Sequence, residues 1–470
     1  MAEALEGRPV TKGNSEETTA NCTQRQGEAL SGLDRIREAA RRDKNLRFTN
    51  LMHHITVDLL REAYNALKRD AAPGIDGVTW QQYGNKLEEN LSNLCQRVQS
   101  GRYRATPSKR VWLPKPDGKQ RPIGIAVVED KIVQQAVVWV LNQIYEEDFV
   151  GFSYGFRPGR SQHNALDALW VGITQRKVSW ILDADMRSFF DTVDHEWLMK
   201  FMEHRITDPR VLRLIRKWLR AGVSEEGQWS ETKVGTPQGS VASPILANIY
   251  LHYALDLWVN HWRKKQALGD VIVVRYADDL VVGFQHRIDA EHFLQALRER
   301  LAKFGLEINQ EKTRLIEFGR FAAANRAKRG ESKPETFDFL GFTHICATTR
   351  NGNGFIVRRK TIAKRLRGKI KAVREEIMRR RHDPVPIQGK WLRSVVQGHF
   401  NYFAVPGNRL SIDRFRTEVI RGWLHALRRR SQKSRSLTWD RIKRLVKTWI
   451  PTAKTLHPYP NQRLYVINPR

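Results

Sequence analysis

Apolar residues between about Leu33 and Leu67 recur at helical spacing (Leu59, Leu60, Ala63, Tyr64, Leu67), which predicts helix ending before Ala72-Pro73-Gly74. A short strand-like run, Arg110 to Leu113, leads through the turn Pro114-Lys115-Pro116-Asp117-Gly118 into Gln120 to Ile125, so a hairpin carrying Lys and Arg is predicted there. The middle of the chain alternates periods. Val178 to Ala184 and Val271 to Tyr276 read as buried strands, 240–260 and 289–304 as helices, and Phe337 to Cys346 as a further strand before the turn Gly352-Asn353-Gly354. Beyond a boundary near 350 the pattern turns helical. Ile362, Leu366, Ile370, Val373 and Ile377 make one apolar stripe, while Lys364, Arg365, Arg367, Lys369 and Lys371 fill the other faces, and Asp383-Pro384 stops the helix. Helices over 412–430 and 438–449 complete a small bundle. The predicted class is α+β followed by an all-α part.

Charge changes this picture most. The 470 residues carry 81 Lys+Arg against 50 Asp+Glu, a formal +31, and residues 351–470 alone hold 30 Lys+Arg against 6 Asp+Glu. Solubility needs no such concentration of positive charge, so the last quarter is expected to bind a polyanion. With 41% hydrophobic residues there is ample material for packed cores, and the length suits two or three domains. Residues 1–32 lack apolar periodicity and are expected to be a flexible leader. Cys22, Cys95 and Cys346 stand far apart, against a zinc ribbon or a disulfide framework. No apolar run is long enough for a membrane span and the polar start lacks a secretory signal, so a cytoplasmic place is expected.

The most informative segment is Val271 to Phe284, in which two apolar strand-like runs flank the adjacent acids Asp278-Asp279. A hairpin there would carry adjacent carboxylates at its tip, which is costly without a cation and suits oxygen-ligated divalent ions. For the dipeptide alone, a simple turn is the stronger reading. A second acidic cluster follows another apolar strand: Asp183, Asp185 and, past Phe189-Phe190, Asp191. Alternation puts Asp183 and Asp185 on one strand face, and Asp191 can cap a helix. On these grounds all three compete to complete a two-metal site for phosphoryl chemistry.

Taken together and in order, the motifs resemble those of bacterial group II intron-encoded reverse transcriptases and maturases. Tyr276-Ala-Asp-Asp279 is similar to their Y-x-D-D signature, and Asp185 with Phe190 to their first catalytic-aspartate motif. Gly235-Thr-Pro-Gln-Gly-Ser-Val-Ala-Ser-Pro244 resembles their P-Q-G block, and Tyr154-Gly-Phe-Arg-Pro-Gly-Arg160-Ser the block between fingers and palm. Gly74 to Val78, Gly305 to Asn309 with Lys312, Phe339-Leu-Gly-Phe342 and Gly398 to Phe403 are similar to further blocks, so the likeness covers about residues 33–457.

The resemblance implies a right-hand polymerase: fingers and palm over 33–350 with an antiparallel palm sheet, a helical thumb (domain X) over 351–457, and a tail from 458 to 470. It implies Asp185, Asp278 and Asp279 as catalytic residues that bind two Mg²⁺ ions, with Asp183 and Asp191 structural. Phe190 would be the steric gate against ribonucleotides. Lys115, Arg121, Gln238 and Lys312 would contact the deoxynucleoside triphosphate, Arg bidentately and Lys as a point charge. Arg157, Arg160 and the basic residues Lys364, Arg365, Arg367, Lys369 and Lys371 would contact nucleic acid, through phosphates rather than sequence. Most aromatics among those charges, Trp391, Phe400, Tyr402, Phe403, Trp423, Trp439 and Trp449, are expected in the bundle core.

The implied function is RNA-directed DNA polymerase encoded by a group II intron. It would copy intron RNA during mobility and assist splicing as a ribonucleoprotein. Its partners would be intron RNA, an RNA template with DNA primer, a DNA target and deoxynucleotides, with a nucleoid association. The alternatives are a domesticated enzyme of repair or defence, a splicing-only maturase, which the intact acids oppose, and an RNA-directed RNA polymerase. One departure from the family is the absence of the paired Cys of an H-N-H endonuclease before Arg470, so second-strand cleavage is not expected of this sequence. The stretch Pro451 to Arg470, with His457-Pro-Tyr-Pro460, is a candidate remnant of a DNA-binding region.

Overall fold

The computed structural model describes residues 32–463 except 115–119, 226–227, 231–233, 237–238, 350, 353 and 433–435. Helix α1 (32–42) precedes α2 (Val57–Ala66), α3 (Trp80–Gly84) and α4 (Leu87–Gln99). Strands β1 (Ser108–Pro114) and β2 (Gln120–Ile125) lead to α5 (Val128–Asp148) and α6 (Gln162–Gln175). Then come β3 (Trp180–Asp185), α7 (Phe189–Thr192), α8 (His195–Glu203), α9 (Pro209–Arg220), β4 (Val223–Glu225) and β5 (Gln228–Ser230). Helices α10 (Ser243–Leu251) and α11 (Leu257–Lys265) are joined by a π-helical turn, His252–Asp256. Strands β6 (Val271–Tyr276) and β7 (Asp279–Phe284), α12 (Arg287–Ala302), β8 (Arg314–Glu317) and α13 (Ala322–Lys328) follow. The last third holds β9 (Phe337–Phe339), β10 (Phe342–Thr348) and β11 (Phe355–Thr361), then α14 (Ala363–Arg379), α15 (Val385–Phe403), α16 (Arg409–Arg428), α17 (Trp439–Trp449) and α18 (Pro460–Arg463).

A four-stranded antiparallel sheet in the order β6-β7-β3-β8 sits at the centre. Its alternation sends Leu182, Ala184, Val273 and Val282 into a core shared with α5, α10 and α12. Ile181, Ile272, Val274 and Val281 enter a second core, which continues through α6 into the C-terminal helices. In that bundle the stripe Leu366, Ile370, Val373 and Ile377 of α14 is buried, and each such side chain stabilises the fold by about 1.5–3 kcal/mol. Trp423, fully buried, donates its indole N–H to Gln388 Oε1 at 2.7 Å, so the ring is buried without an orphaned donor. Of the other aromatics of this region, Phe400 and Phe403 are buried, while Trp439 is 41% exposed.

Several predicted elements differ in extent. The helix expected over Leu33 to Leu67 is split, because the Asp208 carboxylate accepts from Leu51 N at 2.7 Å and Met52 N at 2.9 Å and holds a 3₁₀ turn, Met52–His54, between α1 and α2. The strand expected over Phe337 to Cys346 is two strands, β9 and β10, reversed at Leu340 (φ 43°) and Gly341 (φ 82°). The boundary expected at 350 falls between the paired strands β10 and β11, and the helical part begins at Ala363. Helix α15 was not predicted as an element; its Gly389 lies against the Trp449 ring of α17, where a Cβ would collide. No helix among the described residues is long and apolar enough to cross a membrane. The predicted leader, residues 1–31, and the end of the tail, 464–470, lie outside the described residues.

Candidate active site

The register of the central sheet forms a row at one end. Asp185, the last residue of β3, lies opposite Asp279, the first of β7, which in turn lies opposite Tyr276, the last of β6. Period-2 alternation puts Asp183 on the same face one row further in, opposite Val281 and Arg314. This face also carries Ile181, Ile272 and Val274, which belong to the core shared with the C-terminal helices. Asp278 sits beside the row, in the two-residue turn Ala277-Asp278 between β6 and β7. Burial pushes the Asp278 carboxyl up, and the Asp185 charge adds to the shift. Loss of hydration around its carboxyl, followed by the charges of Asp278, Asp185 and Asp183, pushes Asp279 up in the same direction, to about 7. Arg365, on α14, works against that rise, which sets the first helix of the bundle electrostatically over the row.

The turn is strained and braced. Ala277 has φ 55°, a left-handed conformation that favours Gly, and Phe156 (58°), whose ring lies 6.5 Å from that of Tyr276, shares this property. Asp185 is fixed from the side. Asn309 donates its backbone N–H to Asp185 O at 2.8 Å and its Nδ2 to Asp185 Oδ2 at 3.3 Å, and Lys312 Nζ meets the same oxygen at 3.0 Å. Thus Gly305 to Lys312, a stretch that sequence patterning could only note, buttresses the end of β3. Gly155 packs against the Ala277 backbone so closely that any Cβ there would collide with it. Asp191 lies within α7 rather than at its cap.

A profile of the family described as reverse transcriptase (RNA-dependent DNA polymerase) matches residues 113–344. The chain is 33% identical over 313 residues to protein YkfC of Escherichia coli, which covers 58% of this chain and 81% of that protein. It is 34% identical to the group II intron-encoded protein LtrA of Lactococcus lactis subsp. cremoris, over 50% of this chain and 39% of that protein. Nuclear intron maturase 4, mitochondrial, of Arabidopsis thaliana is 25% identical over 44% of this chain and 25% of its own length. The chain belongs to the reverse transcriptases of group II introns. It spans 39% of the length of LtrA and 25% of that of the Arabidopsis maturase.

Other predicted site residues of this reverse transcriptase fall unevenly. Arg121, on β2, lies near enough to Asp278 to oppose the rise of its pKa. Phe190, half-buried in α7, stacks edge-on against Phe189 at 5.4 Å, and its carbonyl accepts from Thr236 N at 2.7 Å, so the start of the Gly235–Pro244 loop is tied to it. Lys115 and Gln238 lie outside the described residues. Arg157 requires a correction: its side chain is 2% exposed, ion-paired with Glu146 at 2.9 Å and bonded to the carbonyls of Val150 and Ser153. Its fork is consumed in bracing a loop, so it does not face nucleic acid. Arg160 likewise donates to Gly151 O and Ser153 O and covers the Tyr154 ring at 5.3 Å. Lys364, Arg365, Arg367, Lys369 and Lys371 are all exposed along α14.

Reverse transcriptases generally depend on divalent metal. Among the described residues no group of three or more His, Cys, Asp or Glu side chains converges as a metal-holding cluster. The donor type nonetheless fits: carboxylate oxygens suit a hard divalent cation, and the backbone row brings Asp185 and Asp279 together with Asp278 alongside. Positive charge favours the ionised form of the crowded Asp278 and Asp279 carboxyls, and beside them Lys312 pairs with Asp185 at 3.0 Å.

Sequence reasoning missed Arg275. It is fully buried in β6, and a charged residue directly after the apolar run Val271-Ile-Val-Val, within the same strand, was the signal available.

Proposed function

We propose that this reverse transcriptase is an RNA-directed DNA polymerase that extends a DNA primer on an RNA template and works in complex with a group II intron RNA, whose splicing it assists. The reading rests above all on the carboxylate row Asp185–Asp279 with Asp278 in the adjoining turn, on rigid strands at one sheet end. In it, the central sheet is the palm, β1 and β2 belong to the fingers, and the bundle from Ala363 is the thumb.

Asp185, Asp278 and Asp279 would hold two Mg²⁺ ions, which lower the pKa of the primer 3′-hydroxyl and neutralise the pyrophosphate as it leaves. Every other part falls to side chains of the chain itself. Lys312 releases the Asp185 oxygen and turns to the phosphates, where its ammonium can also protonate the departing pyrophosphate. Arg121 reaches the triphosphate from β2, close to the turn, with Lys115 and Gln238 as further contacts. Phe190 excludes a ribose 2′-hydroxyl. The exposed bases of α14 grip the backbone of the primer–template duplex and of intron RNA without reading sequence. The names of the two intron proteins support the intron as partner. A DNA target and a nucleoid-associated place in the bacterial cytoplasm accompany that role.

The test is primer extension on an RNA template with deoxynucleotides and Mg²⁺, comparing the native protein with Asp278→Asn. The variant is expected to lose extension by at least about a hundredfold, as when a single charge-stabilising group is removed from a transition state, while intron-RNA affinity stays within about threefold. Extension by neither protein, with tight intron-RNA binding by both, would leave only the splicing role.

A further inference from the structure

Arg275 is buried at 0% exposure and uses all of its donors. Its Nε meets Asp256 Oδ1 at 2.7 Å; its Nη2 meets Asp256 Oδ2 at 2.5 Å and Ser153 Oγ at 2.7 Å; its Nη1 meets Asn248 Oδ1 at 3.2 Å and Ala277 O at 2.9 Å. A guanidinium has five N–H groups, so none is left over. The partners arrive from separate elements. Asn248 comes from α10 and also donates its Nδ2 to Gly155 O at 2.8 Å. Asp256 ends the π-helical turn between α10 and α11, a local departure from the α-helical repeat that brings a carboxylate to this point. Ser153 runs beside Arg275 in a parallel bridge, with Arg275 N bonded to Phe152 O and Tyr154 N to Arg275 O, both at 2.9 Å.

One of these contacts ends on the strained residue. The Ala277 carbonyl follows a left-handed backbone that an alanine adopts at a cost, and its next neighbour is Asp278. We infer that Arg275 is a positioning residue for DNA synthesis: with Asp256, Asn248 and Ser153 as its frame, it holds the Ala277 peptide in the left-handed turn and so fixes where the Asp278 carboxylate points. This rests on the polymerase reading of the same site. Lysine cannot replace it, having three donors on a point-like head where five are needed in a planar fork.

The experiment compares single-nucleotide addition by the native protein, by Arg275→Lys and by the apolar pair Arg275→Met/Asp256→Leu, each with and without Ala277→Gly, and with Asp278→Asn as the blank. Melting temperature and primer–template affinity are measured on every protein. A misdirected catalytic group is expected to lower kcat by about a hundredfold, with deoxynucleotide KM and primer–template affinity within about threefold. Ala277→Gly, which adopts the left-handed turn freely, is expected to restore about a tenth or more of the lost kcat without raising the melting temperature. A folded Arg275 variant with native kcat overturns the inference, as does a kcat loss that Ala277→Gly leaves untouched or that falls in step with primer–template affinity. Failure of both Arg275 backgrounds to fold also overturns it, by making the pair a requirement of folding. Should the native protein itself add no nucleotide, the polymerase reading fails first, a result separable from all of these.

Discussion

At the β6–β7 turn, acidic groups are crowded together in a frame that fixes each backbone atom; along α14, basic groups are strung out on an open face with little to fix them. The first arrangement is expensive. It places like charges in one row, holds an alanine at φ 55°, and needs a buried Arg–Asp pair to brace it. The second costs little, because solvent and salt screen the Lys and Arg charges until a polyanion displaces the counterions. A site that must place atoms tolerates no displacement, whereas a surface that must only attract phosphates spreads its work over many residues. Single substitutions should therefore be drastic at the turn and mild on the helix.

Gly155→Ala probes the turn without touching an acid. The added Cβ would meet the Ala277 backbone, which has no flexible side-chain end to yield, so the turn must move. Extension in the primer assay should fall by more than about a hundredfold, because a shift on the order of 1 Å at reacting groups costs that much. The salt dependence of primer–template binding should stay native. Equal losses of rate and affinity would dissolve the contrast between the two regions.

On the helix, the matching change is the combined Arg365→Gln, Arg367→Gln, Lys369→Gln and Lys371→Gln. Each lost phosphate contact lowers the slope of log affinity against log salt by roughly 0.9, so the variant should bind primer–template with a slope shallower by about 2–4 and an affinity roughly tenfold to a hundredfold weaker at moderate salt. The rate at saturating primer–template should be nearly native. Any one of the four alone should move the slope by no more than about 1.

Phe190→Val tests a residue between these extremes, tied by its carbonyl to Thr236 but exposing part of its ring. A smaller side chain should relax discrimination against ribonucleotides by about thirtyfold, read as the ratio of kcat/KM for the two sugars, since steric rejection of one hydroxyl by an apolar wall is worth a few kcal/mol at most. Unchanged discrimination would put the gate elsewhere.

What the sequence disclosed tracks how local each cause is. The Asp278-Asp279 pair, the strands around it and the α14 stripe follow from residues a few positions apart, and periodicity alone locates them. Arg275 could be flagged as a charge in an apolar strand, but its meaning depends on Ser153, Asn248 and Asp256, drawn from three other elements. Arg157 failed for the same reason: in the sequence it is one Arg of a basic loop, and only the fold brings Glu146 and two carbonyls round it. Helix α15 was hidden because Gly389 reads as a breaker, while the close approach of Trp449 is what demands it. The stretch after Pro451 carries no such periodic signal, and its described part folds back through distant partners: Leu456 N bonds to Ala404 O at 2.9 Å and Arg463 Nε to the buried Asp167 at 2.5 Å.

That fold-back yields the smallest expected effect. Asp167, on α6, also holds Arg359 of β11 at 2.9 Å, and His163, one turn earlier, lies against His457 with ring centroids 4.0 Å apart. Burial, and then the neighbouring His457, Arg463 and Arg359, pushes His163 down to about 3. In the unfolded chain a histidine titrates near 6.5, so at pH 5.5 the unfolded state binds the proton that the folded state refuses. Stability contributed by the neutral ring is therefore present above about 6.5 and lost as pH falls below it, by about 1.4 kcal/mol between pH 7.5 and 5.5. Asp130, pushed up to about 6 by burial, shifts stability the other way over part of that range, so the native curve alone is a mixture. Urea unfolding of the native protein and of His163→Gln across this pH range separates them, because the contributions of Asp130, Asp183, His252, His344 and His399 are common to both and cancel in the difference, whose slope belongs to His163. A flat difference would show that the tail fastens to α6 through Asp167 and Arg463 alone, a charge-assisted clasp indifferent to the state of the ring.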